Sequence, residues 1–206
     1  MIPSALQRLM FGIMYRVGFT PWDGHALPSR LRDAVEGPAA LTPRRALDIG
    51  CGTGDTSIYL ARHGWDVTAL DFVEAALKKA RAKGAAAGAN VRWVRGDVTA
   101  LQQSGVQGQF QLLVDNGCLH GLPDEGRDAY VREVTAAAAP DAVMLLAGFR
   151  EDPKRRGPRG FDPPEVERRF AGRWRLIHHA EEPAISIEEG DPIRVYELRR
   201  NASGSP

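Results

Sequence analysis

Cysteine is scarce: there are two in 206 residues, Cys51 and Cys118, in no paired metal or redox spacing. A disulfide framework is therefore not expected, and a reducing, cytoplasmic setting is. An excess of one charge is also missing. Lysine and arginine number 27 against 26 acids, a net of +1, so no overall field draws the chain to nucleic acid or to a membrane. Long apolar runs are absent too. The N-terminal stretch SALQRLMFGIMYRVGF is apolar at helical spacing, but it is interrupted by Arg8 and Arg16 and is followed by no small-residue cleavage site. That argues against a signal peptide and against a spanning helix. It reads as an amphipathic helix with one face on the domain, a membrane-surface helix being the other reading. Also lacking are G-x-x-x-x-G-K-[ST], which would cradle phosphates, and a Tyr-x-x-x-Lys run.

What is present suits one globular domain, with 43% hydrophobic residues. After the N-terminal helix, the Pro and Gly of TPWDGHALPSR mark a loop, and 31–36 reads as a short helix. These make an N-terminal helical cap over 1–36, ahead of a main domain over 37–200 and a small, polar tail over 201–206. Strands and helices then alternate. RALDIG, WDVTALD, VRWVRGD, FQLLVDNG and AVMLLAGFR read as strands, with helices over 55–63, 74–87, 124–139 and 163–173 between or after them. Two more strands are expected near 174–181 and 193–200. Such alternation implies a doubly wound α/β sheet of parallel strands with helical crossovers. Right-handed crossovers put all the strand C-termini on one edge, where ligands bind. Asp48, Asp71, Asp97 and Asp115 all fall at predicted strand ends on that edge.

ALDIGCGTGD holds Gly50, Gly52 and Gly54. A dinucleotide-binding turn reads G-x-G-x-x-G, and here its third glycine position is Asp55. Asp48 and Asp55 flank the loop, and acids beside a pyrophosphate repel it. A cationic ligand without phosphate fits better. S-adenosylmethionine carries a sulfonium, an amino-acid end, a ribose diol and an adenine. Acids near the loop suit its ammonium, Asp71 can accept both ribose hydroxyls, and Asp97 the adenine amino group, with Phe72 and Val98 as adenine walls. Each residue also has a plain structural reading. The glycines can shape a turn, Asp71 can cap the helix ahead of Glu74, Asp97 can be a turn residue, and Cys51 a small spacer.

LDIGCGTGD closely resembles the first motif of class I S-adenosylmethionine-dependent methyltransferases. ALD, ending in Asp71, resembles their ribose-binding acid, and RGDV, ending in Val98, their adenine-binding turn. The resemblance covers roughly 45–149 and implies a Rossmann-like seven-stranded sheet with the last strand antiparallel. It implies S-adenosylmethionine as cofactor and S-adenosylhomocysteine as product, held by Trp22, Asp48, Gly50, Cys51, Gly52, Thr53, Gly54, Asp71, Phe72, Asp97, Val98, Asp115 and Asn116. VDNGCLHGLP, with its D-x-G-x-x-H run, resembles a branch that includes thiopurine- and thiol-methylating enzymes and bacterial relatives. It lacks the [ND]-P-P-[YF] motif of DNA and protein amine methylating families.

In that branch the acceptor is a small aromatic, heterocyclic or thiol compound. His120 is then the base candidate, and Asp115 positions a ligand or orients the loop, although His120 can equally satisfy a backbone carbonyl or cap the turn. TPWDG resembles the branch's tryptophan-containing entry segment, which implies Trp22 over the cofactor or acceptor, Asp23 and His25 nearby, and Tyr15 and Phe19 lining the same cover, while Trp22 can equally pin the N-terminal helix to the domain. REDPKRRGPRGFDPP carries five basic residues against three acids, a recruiting surface for an acidic acceptor or a solvated mobile loop. No metal site is expected. The partner expected is a small-molecule acceptor, without nucleic acid or membrane, and a monomer is preferred although the sequence leaves oligomeric state open. The competing functions are a cofactor-binding protein without turnover, an RNA or protein methyltransferase, and an NAD-linked oxidoreductase.

Overall fold

The computed structural model describes residues 5–152, 157–182, 185 and 193–201. Its elements run α1 (Ala5–Val17), α2 (Ser29–Glu36), β1 (Arg45–Ile49), α3 (Asp55–Arg62), β2 (Asp66–Asp71), α4 (Glu74–Ala86), β3 (Val91–Arg95), β4 (Phe110–Asn116), α5 (Asp124–Ala137), β5 (Ala138–Phe149), α6 (Pro163–Phe170), β6 (Trp174–Glu181) and β7 (Ile193–Arg200). One seven-stranded sheet has the order β3-β2-β1-β4-β5-β7-β6. The five strands β1 to β5 are parallel, and β7 runs antiparallel to β5 and β6. The order reverses between β1 and β4, which opens a crevice at their C-terminal ends.

The sheet is covered on both faces, as its unalternating apolar strands require. Leu31, Leu60 and Trp65 pack with Val67, Leu112, Val114 and Leu145 on the α2–α3 face. Tyr130, Val134, Val166 and Phe170 pack with Leu47, Ile49, Leu113 and Met144 on the α5–α6 face. Helix α1 lies on α4, with Tyr15 buried against Val73 and Ala76. Its other side leaves Leu9, Met10, Ile13 and Val17 exposed. No helix among the described residues is long and apolar enough to cross a membrane.

Boundaries differ from the sequence reading where proline or a distant side chain decides them. Helix α5 stops at Ala137, two residues early, because the residue before Pro140 is biased out of the helical region. β5 therefore starts at Ala138 and turns through Asp141, whose φ is 58°. Helix α2 starts at Ser29, two residues early, where the Glu182 carboxylate accepts the Ser29 N–H at 2.5 Å. Helix α6 ends at Phe170 rather than at 173, and Gly172 at φ 75° turns the chain into β6. Asn201, placed in the tail by sequence, is pinned by its N–H on Arg173 O (2.9 Å).

Candidate functional site

The glycine loop joins β1 to α3 and lies in the crevice. Gly50, Gly52 and Gly54 all have positive φ, 70°, 53° and 89°. At Gly54 the need for glycine is double. Left-handed backbone there starts α3, and a Cβ would lie 2.6 Å from the Trp93 ring. At Gly52 a Cβ would stand 3.0 Å from the Tyr15 hydroxyl. Tyr15 thus reaches from α1 onto the loop, where its Oη accepts Trp22 Nε1–H at 2.9 Å. Trp22 packs edge-on against Phe11 and Tyr15. Phe72 meets Phe11 edge-on, with centroids 5.8 Å apart. Trp22, Phe72 and Tyr15 therefore form one aromatic cover at the β2 end of the crevice. Phe19 is exposed and lies outside it, and exposed His25 turns back to Pro21 O.

A polar latch fastens this cover. Thr53, buried in the loop, donates its hydroxyl to Asp23. Lys83 of α4 donates to Thr53 Oγ1 (2.7 Å) and to Asp55 Oδ1 (2.9 Å). Nothing local in the sequence marks Lys83, which arrives from 30 residues away. Tyr15 is more legible, since it follows Phe11 by one helical turn on the inner stripe.

Three of the four acids are deeply buried. Asp48 accepts from Ser57 Oγ at 2.5 Å. Asp71 accepts the Gly52 N–H (3.0 Å) and the Val73 N–H (2.7 Å). Burial pushes Asp48 up to about 7, with Asp115 and Asp71 adding to the rise. Burial raises Asp71 to about 6 against the pull of its backbone donors, and Asp115 to about 6 against Tyr130 and the 117–119 amides. Both thiols, Cys51 and Cys118, are held well up by burial and by these acids, so neither is an activated nucleophile.

Of the two roles open to Asp115, positioning a ligand or orienting the loop, its hydrogen bonds fit the second. It is fully buried and accepts from Gly117, Cys118 and Leu119 N–H and, at 2.5 Å, from the Tyr130 hydroxyl. Four donors fill its lone pairs, so it builds the turn that carries its neighbours. Asn116, at the end of β4, donates to Thr56 Oγ1 of α3 at 3.0 Å. His120 stacks on Phe149, with centroids 4.6 Å apart, and its Nδ1 accepts the Phe149 N–H at 3.3 Å. Asp97 lies half-buried past the end of β3 and accepts from the N–H and hydroxyl of Thr99. Val98 is buried with Leu101 and Val106 in the core, as a floor rather than an open wall.

The segment after β5 is less loose than its composition suggests. Arg159 donates to Glu165 (2.9 Å) and Asp124 (3.0 Å), and Arg150 lies 3.5 Å from Glu181. Lys154, Arg155 and Arg156 lie outside the described residues. Glu165 collects Arg127, Arg159 and Arg169. Burial pushes its carboxyl up, but the three guanidiniums outweigh this and bring it to about 2. Glu151, Asp162 and Glu165 come close enough together to hold a cation, yet Glu165 is already committed to three arginines.

A pH dependence follows from the raised acids. The folded protein holds their protons more tightly than the unfolded chain does. Each contributes stability that is fully present below the ordinary carboxylate range and is lost as pH rises through about 6 to 7. Asp48→Asn keeps an acceptor for Ser57 and removes the largest of these shifts. The variant is more stable than the parent at about pH 8, by on the order of a few kcal/mol, and the gap narrows below about pH 7 and closes only below about pH 4. Thermal unfolding of both across pH measures this, and a constant gap contradicts it.

Residues 46–141 match the model of a family described as a methyltransferase domain. The 2-heptyl-1-hydroxyquinolin-4(1H)-one methyltransferase of Mycobacteroides abscessus is 29% identical over 154 residues, covering 73% of this chain and 62% of that protein. A ubiquinone biosynthesis O-methyltransferase of Bordetella avium is 33% identical over 133 residues, covering 63% of this chain and 53% of that protein. The chain thus spans between half and two thirds of the length of these relatives. Among solved structures, the Burkholderia thailandensis 1,6-didemethyltoxoflavin-N1-methyltransferase, with 1,6-didemethyltoxoflavin and S-adenosylhomocysteine bound, superposes with TM-score 0.78 at 24% identity. That match covers 96% of this chain and 88% of the other, and it shows a shared fold.

Proposed function

We propose that the protein transfers a methyl group from S-adenosylmethionine to a small-molecule acceptor, an aromatic or heterocyclic compound with a hydroxyl, thiol or amine. The observation that carries this reading is the loop's own hydrogen bond. Gly52 N–H, the kind of donor a dinucleotide fold turns to phosphate, is given to Asp71. With Asp48 and Asp71 buried beside it, the loop repels a phosphate and suits a ligand of positive charge. The matched methyltransferase domain and two relatives named for small-molecule methylation support the same reading.

The residues fit such a cofactor. Asp71 keeps lone pairs for a ribose diol beyond its two amide donors. Asp97 stands one strand further along, past the end of β3, and would be the acid for the adenine amino group. Asp48 and the 50–54 loop stand at the amino-acid end, with Tyr15 and Trp22 above them. When bound, the cofactor supplies a methyl group on a positively charged sulfur that leaves readily. The chain's own work is then to align and to exclude water. The aromatic cover closes one side, the Asp23–Thr53–Lys83 latch holds it, and the Asp115 turn presents Asn116 and His120 to the acceptor. More finely, the D-x-G-x-x-H run of 115–120 supports the branch that includes thiopurine- and thiol-methylating enzymes.

The test is turnover. Purified protein with S-adenosylmethionine is offered phenols, thiols and N-heterocycles, and release of S-adenosylhomocysteine is followed. Release above the acceptor-free background is expected with at least one class. Tight cofactor binding with no release from any of them would favour a binding protein without turnover.

A further inference from the structure

We propose that Arg30 reads the acceptor. Its Nε–H donates to an oxygen, a carbonyl or a carboxylate, carried on the acceptor ring beside the atom that is methylated. This rests on the methyl-transfer reading above and specifies its acceptor class.

The first turn of α2 is tied to β7 and to the end of β6 through Arg30 and Ser29. Two enclosed polar atoms there have no hydrogen-bond partner among the described residues, Arg30 Nε and Glu182 Oε2. Buried polar atoms are paired as a rule, so each such atom needs a reason. Their neighbours supply it. Glu182, just past β6, is buried and spends Oε1 on the Ser29 N–H at 2.5 Å. Its own N–H goes to Ile193 O at 2.8 Å, which fixes it beside the start of β7. Arg30 donates Nη2–H to Glu197 of β7. A carboxylate often takes two nitrogens of one arginine. The other oxygen of Glu197 instead lies 3.7 Å from Arg199 Nε. One buried carboxylate is thus shared by two guanidiniums, and Arg30 keeps a donor to spare.

The place of Arg30 gives that donor a use. Arg30 lines a small cavity with Pro28 and Leu31 beside it, Asn116 of β4, Ala147 of β5 and Val195 of β7. Asn116 and Ala147 are the last pair of the β4–β5 ladder, at the carboxyl edge of the sheet. The cavity therefore joins Arg30 to the edge to which the methyl-transfer reading assigns the acceptor. Ala147 and Val195 continue into an apolar cluster with Ile185 and Ile193. An apolar wall with one charged donor at its end suits a flat ring bearing an oxygen acceptor. The local charge suits it too. Arg30 and Arg199 stand with Glu182 and Glu197, so no excess of acid opposes an oxygen, or even a carboxylate, at Nε. Arg30 exchanges no proton and forms no bond. It fixes which edge of the ring meets the wall, and so which atom is presented for methylation.

The experiment uses the full chain labelled with ¹⁵N-arginine and saturated with S-adenosylhomocysteine. Salicylate is the probe, a ring hydroxyl beside a carboxylate, and phenol is the control without the second group. Arg30→Lys keeps a cation for Glu197 and removes Nε, so the Arg30 Nε–H resonance is identified by its loss. Salicylate is expected to move that resonance saturably, and phenol to leave it in place. Arg30→Lys then weakens salicylate binding by about tenfold, read by calorimetry. A resonance that salicylate leaves unmoved means that a bound water satisfies Nε, and it overturns the proposal. Equal movement with phenol overturns it as well, because no second oxygen is read. So does equal salicylate affinity in Arg30→Lys, because any cation would then serve. Failure of S-adenosylhomocysteine to bind would instead sink the methyl-transfer reading, while salicylate would still report on Arg30.

Discussion

Replacing Asp71 by alanine weakens S-adenosylhomocysteine binding by two to three orders of magnitude. Two hydroxyl donors lose a charged acceptor, at about 1.5–3 kcal/mol each before partial compensation by water. The same carboxylate also holds Gly52 and Val73 by their N–H groups, so the glycine loop loses its brace as well as the ribose its partner. Asparagine does not rescue this, because one side of its amide turns an N–H toward a backbone N–H. The fold survives, since the acid is raised to about 6 by burial and its charge is a cost to the unliganded protein near neutrality. Calorimetry of the variant, with circular dichroism to confirm folding, measures the effect. Affinity within about threefold of the parent would take Asp71 out of the site.

Glu165→Ala gives the largest loss of stability, about 3–5 kcal/mol, or roughly 10 °C in Tm. Arg127 has no exposed side-chain surface and pairs with Glu165 at 2.9 Å. Removing the carboxylate leaves a buried guanidinium facing two others, Arg159 and Arg169, which turn to exposed Asp124 and Asp128. Arg127 also donates to the carbonyls of His120 and Leu122, so the damage reaches the turn at the site. Asp124→Ala, at an exposed acid, is the control and costs little. Equal melting temperatures for parent and Glu165→Ala would show that the three-arginine cluster adds no stability.

Local spacing made much of this readable. The glycine loop, the acid ending β2 and the Asp115 turn are each contained in a few consecutive residues, and the sheet follows from alternating apolar runs. What escaped depends on partners far along the chain. Arg127 and Glu165 are 38 residues apart, and a run of arginines near 150–159 looks like a solvated loop until Glu165 and Asp124 are seen to hold Arg159. At a strand end, Asp115 can face a ligand or orient its loop, and local spacing does not choose between the two. Its side chain points inward to Tyr130. His120 is legible as a base candidate, but the Phe149 N–H that its Nδ1 accepts comes from β5, far along the chain.

The most direct test of the central claim is calorimetric titration of the unmodified protein with S-adenosylhomocysteine, with NADH as the matched control. The account predicts saturable binding of the first and none of the second, because the loop's donor is spent on Asp71 and the acids beside it repel a pyrophosphate. Binding of NADH alone, or of neither ligand, would contradict it.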